Sequence, residues 1–237
     1  MKFAYLIEPP FNFRHADGRV DGADVALARH VSAALGSGPF EPVEAEFAEL
    51  LPGVAAGRWR MTTGLFATEE RRRTAAFSRP VWALPDGLLV QQGNPLALTG
   101  YRSVAARAEC RLAVIRDQFQ HRSAIAFGVQ EERCMIFETY TEAATAVRDG
   151  RADAYASVAK AHDGFLAQHP DWDLEVVTVP REEKQPAFGC LGFSLEDDAF
   201  RHAVDEILEA YIGSPEHRAM MAGFGFSDTD VDMLVAR

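Results

Sequence analysis

Apolar residues recur along this chain in two rhythms. Phe3 to Ile7 form an unbroken apolar run closed by Pro9 and Pro10, which predicts a buried strand. A turn signal follows at Ala16–Gly18. Val25, Leu27, Ala28, Val31 and Leu35 then fall on roughly one face of a helix that Gly36 stops. Phe40–Glu46 predicts a strand, and Leu50, Leu51 and Val54 predict a short helix ending at Gly57. Trp59–Phe66 and Gly87–Gln92 predict two further strands. Strand and helix alternate through the first ninety or so positions, which predicts an α/β unit with a parallel sheet.

The stretch Gln92–Gly100 is rich in turn formers, and after it the alternation restarts. Strands are predicted at Arg111–Ile115, Cys134–Glu138, Ala152–Ser157 and Leu174–Val179. Helices are predicted between them at Gln120–Gly128, Thr141–Gly150 and Ala161–Pro170. A polar linker, Arg181–Ala187, leads to a last strand at Phe188–Ser194 and an amphipathic helix over Asp197–Ser214. Two lobes are therefore expected: residues 1–92 with 189–237, and residues 93–188.

Composition narrows the function classes. The 237 residues are 48% hydrophobic and 25% charged, an ordinary soluble balance. A net charge of −11 argues against a nucleic-acid partner, which usually meets a basic surface. No apolar run approaches the ~20 residues of a membrane helix. The start, MKFAYLIEPPFNF, lacks the layout of a secretory signal, so either a signal has been removed or the protein is cytoplasmic. Cys110, Cys134 and Cys190 are widely spaced and form neither a CxxC pair nor an even disulfide set. No metal or cofactor is expected, because dinucleotide, P-loop, HExxH and GxSxG patterns are all absent.

Five segments, in order, resemble the type 2 periplasmic solute-binding proteins of ABC importers, in the amino-acid-binding branch. They are Pro9–Val31, Phe47–Met61, Thr68–Pro80, Thr139–Ser157 and Tyr211–Ser227. The resemblance implies an α/β, two-lobed fold with two hinge strands and an interlobe ligand cleft. It implies a monomer that captures a small zwitterionic ligand and delivers it to the importer's membrane subunits, in the periplasm. In the family motif one arginine after Thr-x-x grips the ligand carboxylate. Among the consecutive arginines of TEERRR that position is Arg71, with Arg72 and Arg73 on the surface. A guanidinium suits this task because its planar fork meets a carboxylate in two parallel hydrogen bonds.

The acid that holds an α-amino group in ordinary amino-acid binders is replaced here by Val158. Glu8, Phe11, Phe47 and Phe66 instead resemble the box of the ectoine and hydroxyectoine binding proteins, with Arg71 completing it. Aromatic faces suit a poorly hydrated cation, each contact being worth ~0.5–2 kcal/mol. Each also has a plainer reading, the rings as core and Glu8 as a solvated loop acid. In the second lobe Asp117 and Gln118 stand where the family has Gly-Thr, and Ser157 or Tyr155 is expected to reach the cleft. His121 is expected on a helix surface, and Cys190 as a small buried hydrophobe. Two other functions share this scaffold. One is an enzyme of the cyclohexadienyl-dehydratase kind, with Glu8 and Asp117 as the acids. The other is a cytosolic ligand sensor.

Overall fold

A computed structural model describes residues 1–235. The chain divides into two compact units, one made of residues 1–83 with 188 onward and one of residues 84–187.

The first unit opens with β1 (Lys2–Tyr5), β2 (Phe13–Arg14), β3 (Val20–Asp21) and α1 (Ala23–Ala34). It continues through β4 (Glu41–Glu44), α2 (Leu50–Ala55), β5 (Met61–Thr62), β6 (Gly64–Phe66) and the long β7 (Ala76–Leu84). β1 lies between β4 and β5, parallel to both. The helix read from Val25, Leu27, Ala28, Val31 and Leu35 is α1; the first four lie on its buried face, while Leu35 is the half-buried residue that caps its end. Ala4, Leu6, Leu50, Val54, Trp59, Leu65 and Phe77 close the core around Cys190, a buried small apolar neighbour as its sequence context suggested.

The second unit contains β8 (Asp86–Gln91), α3 (Tyr101–Ala105), β9 (Leu112–Ile115), α4 (Phe119–Ala126) and β10 (Cys134–Phe137). Next come α5 (Tyr140–Arg148), β11 (Ala154–Val158), α6 (Ala159–Gln168) and β12 (Leu174–Thr178). The sheet order is β10-β9-β11-β8-β12, and Leu88, Val90, Leu112, Val114 and Ala156 pack on one core. α5 starts on a capping box in which Thr139 Oγ1 accepts from the Glu142 N–H and Glu142 accepts from the Thr139 N–H.

The chain then re-enters the first unit through β13 (Ala187–Phe193), α7 (Asp198–Tyr211), α8 (Pro215–Gly223) and α9 (Asp228–Val235). β13 is the middle strand of β6-β13-β7, antiparallel to β6 with Gly189 opposite Phe66.

Several features depart from the sequence reading. The single strand expected over Trp59–Phe66 is two, β5 beside β1 and β6 beside β13, and the long β7 has no counterpart in the sequence pattern. The first crossing lies at Ala83–Leu84, one strand before the expected boundary at Gln92. β8 therefore belongs to the second unit, where it is buried between β11 and β12. It also runs antiparallel to both neighbours. The apolar run Leu88–Val90 announces a buried strand, but nothing in such a run encodes its direction or its lobe.

Candidate functional site

In the first unit the three arginines separate by environment. They occupy a single 3-10 turn, Arg71–Arg73. Arg72 and Arg73 are exposed; Arg72 donates to the Ala67 carbonyl at 3.2 Å, and Arg73 meets Glu69 at 3.8 Å on the surface. Arg71 is half-buried. Its backbone N–H donates to Thr68 Oγ1 at 3.2 Å, and its Nη1 donates to the Phe66 carbonyl at 2.9 Å. Its guanidinium carbon lies 5.1 Å from the centre of the Phe47 ring. Arg71, Phe47 and Phe66 are thus brought together, with Phe47 itself half-buried against the core.

Glu8 and Phe11 sit on the loop after β1. The Glu8 carbonyl accepts from the N–H groups of Phe11 and Asn12 at 3.0 and 3.1 Å, closing a tight turn that fixes both residues. Glu8 is half-buried. The Phe11 ring is buried, 5.2 Å from the Trp82 ring and 5.7 Å from that of Phe226. Phe66 is buried too and meets the same Trp82 edge-on at 5.6 Å. Trp82 joins the two predicted rings, and it escaped the sequence reading. It lies between Pro80 and Pro85, in a stretch without readable period.

A buried acid escaped as well. Asp24, in the first turn of α1, accepts from Thr63 Oγ1 at 2.5 Å and from the Gly64 N–H at 2.7 Å. Thr63 Oγ1 in turn accepts from Asn12 Nδ2 at 2.8 Å. The Trp82 indole N–H faces the same carboxylate. Burial pushes the Asp24 pKa up, against the opposing pull of those donors. The one sign in the sequence was an acid directly behind Gly22 and Ala23, which any helix start can show.

In the second unit Asp117 and Gln118 precede α4, Gln118 being its N-cap residue. Asp117 is exposed and takes a left-handed φ of 61°, while Gln118 is buried. Ser157 is buried on β11, paired in register with Gly87. Tyr155 is fully buried, with its ring 5.0 Å from Tyr140 and 5.1 Å from His162, so it serves as core. His121 contacts Glu131 at 3.0 Å. Close to α4, Asp86 accepts from Tyr101 Oη at 2.5 Å and from Gln120 Nε2 at 3.3 Å, and pairs with Lys184 at 2.8 Å. Among the described residues no group of His, Cys, Asp and Glu is arranged to hold a metal ion.

Two α/β units that the chain crosses between twice define a two-lobed binding-protein fold of the type 2 class. Residues 2–225 match the bacterial extracellular solute-binding proteins, family 3, and the chain belongs to that family. A probable amino-acid ABC transporter periplasmic-binding protein, y4tE of Sinorhizobium fredii, is 30% identical over 227 residues, covering 92% of this chain and 74% of the relative. The arginine-binding protein ArgT of Corynebacterium glutamicum is 27% identical over 235 residues, covering 94% and 73%. Among solved structures, EhuB in complex with hydroxyectoine superposes with a TM-score of 0.87 at 27% identity, covering 98% of this chain and 90% of that one. The chain is a solute-binding receptor of the kind that serves ABC importers, a family that is periplasmic or extracellular. No helix among the described residues is long and apolar enough to cross a membrane.

Proposed function

We propose that this protein binds a compact zwitterion, ectoine-like or betaine-like, through Glu8, Phe11, Phe47, Phe66 and Arg71, and hands it unchanged to an importer. One observation carries the reading. Of three consecutive arginines, only Arg71 is drawn inward, held between the Phe66 carbonyl and the Phe47 ring. That placement orients the guanidinium fork before a ligand arrives, which lowers the ordering cost of binding. The ligand's carboxylate meets Arg71. Its cationic end meets the aromatic faces and Glu8. Phe47 serves chiefly to hold Arg71. In the second unit the proposal gives Asp117, Gln118 and Ser157 a polar share of the contacts.

The structural likeness to a hydroxyectoine complex supports this ligand class over arginine, the ligand in the name of a relative of equal identity. So does Val158, an apolar residue where the amino-acid binders of the family carry an acid. The protein acts as a monomer and without turnover.

The test is a thermal-shift panel of ectoine, hydroxyectoine, proline betaine, arginine and other common amino acids. A ligand at 100 times its dissociation constant adds ~2.7 kcal/mol of stability. Stabilisation by the first three compounds, each recovered intact, is the expected result. Stabilisation by arginine alone, or chemical conversion of a bound compound, would reject the reading.

A further inference from the structure

The Trp82 ring is laid flat across two neighbouring strands by the absence of side chains beneath it. A Cβ on Gly189 of β13 would fall 2.2 Å from the indole Cε2 and Cζ2, and one on Gly64 of β6 would fall 2.5 Å from the indole Nε1. Both approaches are closer than real Cβ atoms tolerate, so only glycine fits either position. The slot fixes the plane of the ring. The Cβ position of Gly64 is also 3.2 Å from Asp24 Oδ2, so the indole nitrogen and the carboxylate both lie against that glycine. Phe11 and Phe66 then rest on this ring from two segments far apart in sequence.

The same carboxylate reaches both segments by hydrogen bonds. It holds β6, which bears Phe66, through the Gly64 N–H. It holds the loop bearing Glu8 and Phe11 through Thr63 Oγ1 and Asn12 Nδ2. We propose that Asp24 and Trp82 form one positioning unit that sets the Phe11 and Phe66 rings and thereby the ligand selectivity of the first unit's site. Neither residue is assigned ligand contact; both act through the rings. The inference rests on the zwitterion reading for its ligand half, while its geometric half stands without a ligand.

The experiment uses the full chain with ring-labelled phenylalanine, in wild type, Asp24→Asn and Trp82→Phe. Aromatic NMR signals of Phe11 and Phe66 are assigned by single Phe→Leu changes. Asp24→Asn is expected to shift both signals while leaving Phe193 and Phe165 in place, a pattern that general loosening would not produce. Titration of the same proteins with hydroxyectoine is expected to show a loss of at least about tenfold in affinity for each variant, since either the buried charge held by Thr63 and Gly64 or the indole packed beside it is removed.

Unmoved Phe11 and Phe66 signals in Asp24→Asn would overturn the proposal whatever the titration shows. Moved signals with affinity within about twofold of a wild type that binds would overturn its selectivity half. A wild type that takes up no zwitterion would instead remove the zwitterion reading, and the ring signals would then decide the positioning role alone. If Asp24→Asn yields no folded protein, Trp82→Phe keeps a ring, deletes the N–H and carries both measurements.

Discussion

Asp86 and Lys184 form a buried ion pair, Oδ2 to Nζ 2.8 Å, with the aspartate side chain fully enclosed and the lysine only 12% exposed. They stand at opposite ends of the second unit's chain, just inside each crossing. Tyr101 Oη and Gln120 Nε2 complete the carboxylate's contacts, and the Tyr101 hydroxyl is held well above its ordinary pKa by burial and the neighbouring charge. Removing one member of such a pair strands a buried charge, whereas replacing both with shape-matched neutral groups need not destabilise.

Lys184→Met is therefore expected to lower stability by about 3 kcal/mol or more. The double variant Asp86→Asn/Lys184→Met should recover much of that loss. Urea denaturation of the single and double variants measures it. A double-variant loss equal to the sum of the Asp86→Asn and Lys184→Met losses would mean that the pair contributes no coupling.

His162 makes stability depend on mildly acidic pH. It is fully buried, its Nδ1 2.5 Å from Tyr140 Oη and its Nε2 3.3 Å from the Gly87 carbonyl. The carbonyl requires the proton on Nε2, leaving Nδ1 to accept from the tyrosine. Burial pushes the pKa down to about 3 from an ordinary 6.5. His217 is shifted the same way, to about 4. As pH falls below 6.5 the unfolded chain takes up a proton that the folded chain refuses, so stability is full above that value and declines towards 3. Between pH 7 and 5 the loss from His162 is about 2 kcal/mol. His162→Gln should lessen that slope, as read by chemical denaturation at the two pH values. An unchanged slope would place the titration elsewhere.

Gly189→Ala puts a methyl group into the plane where the Trp82 ring lies. The ring cannot slide aside without disturbing Phe11 and Phe66, which pack on it at 5.2 and 5.6 Å. Overpacking of this kind costs about 1–3 kcal/mol. Trp82→Phe in the same chain frees room and should return part of the stability, measured by thermal unfolding. Additive losses in the double variant would show that ring and glycine do not clash.

What the sequence made legible follows from what repeats along it. α1 was readable because Val25, Leu27, Ala28 and Val31 share one face, and the structure buries those residues. α7 was readable for the same reason, with Phe200, Val204 and Leu208 one turn apart. β8 was readable as a strand but not as an interior, antiparallel strand of the second unit's sheet, because direction is settled by partners far away in sequence. Arg71 was singled out only by its match to the Thr-x-x-Arg position of the family motif, since residue type alone could not choose among identical neighbours. Trp82 and Asp24 stayed hidden because their roles arise from tertiary contact: an indole fitted over two glycines and an acid reached by donors about 40 positions on. Single residues without a period leave no trace in a pattern.

In the proposed zwitterion site Glu8 would meet the cationic end of the ligand. Its backbone is fixed by the bonds to Phe11 and Asn12, so Glu8→Gln changes charge with little change of shape. Affinity for hydroxyectoine should fall by about tenfold, the scale of a charge-assisted hydrogen bond made neutral. A ligand whose quaternary nitrogen has no N–H should lose less, since aromatic faces and not a hydrogen bond hold it. Calorimetric titration of both compounds reads the difference. Identical profiles in wild type and variant would remove Glu8 from the site.

Arg71 and Arg73 share one turn and one charge, and so form a matched pair for the carboxylate end. Arg73 is surface-exposed and meets Glu69 at 3.8 Å, an arrangement worth little. Arg71 is held by the Phe66 carbonyl and the Phe47 ring, an orientation that favours a two-point grip on a carboxylate. Truncating one side of such a contact typically costs about 2–5 kcal/mol of binding, roughly thirtyfold or more. Arg71→Ala should therefore abolish measurable binding of a zwitterion, while Arg73→Ala should change affinity less than about twofold. Arg71→Lys keeps the charge but loses the fork, and should recover only part of the affinity. Calorimetry on the three variants decides. Equal effects at positions 71 and 73 would mean that the basic turn acts as a diffuse field, not through one oriented guanidinium.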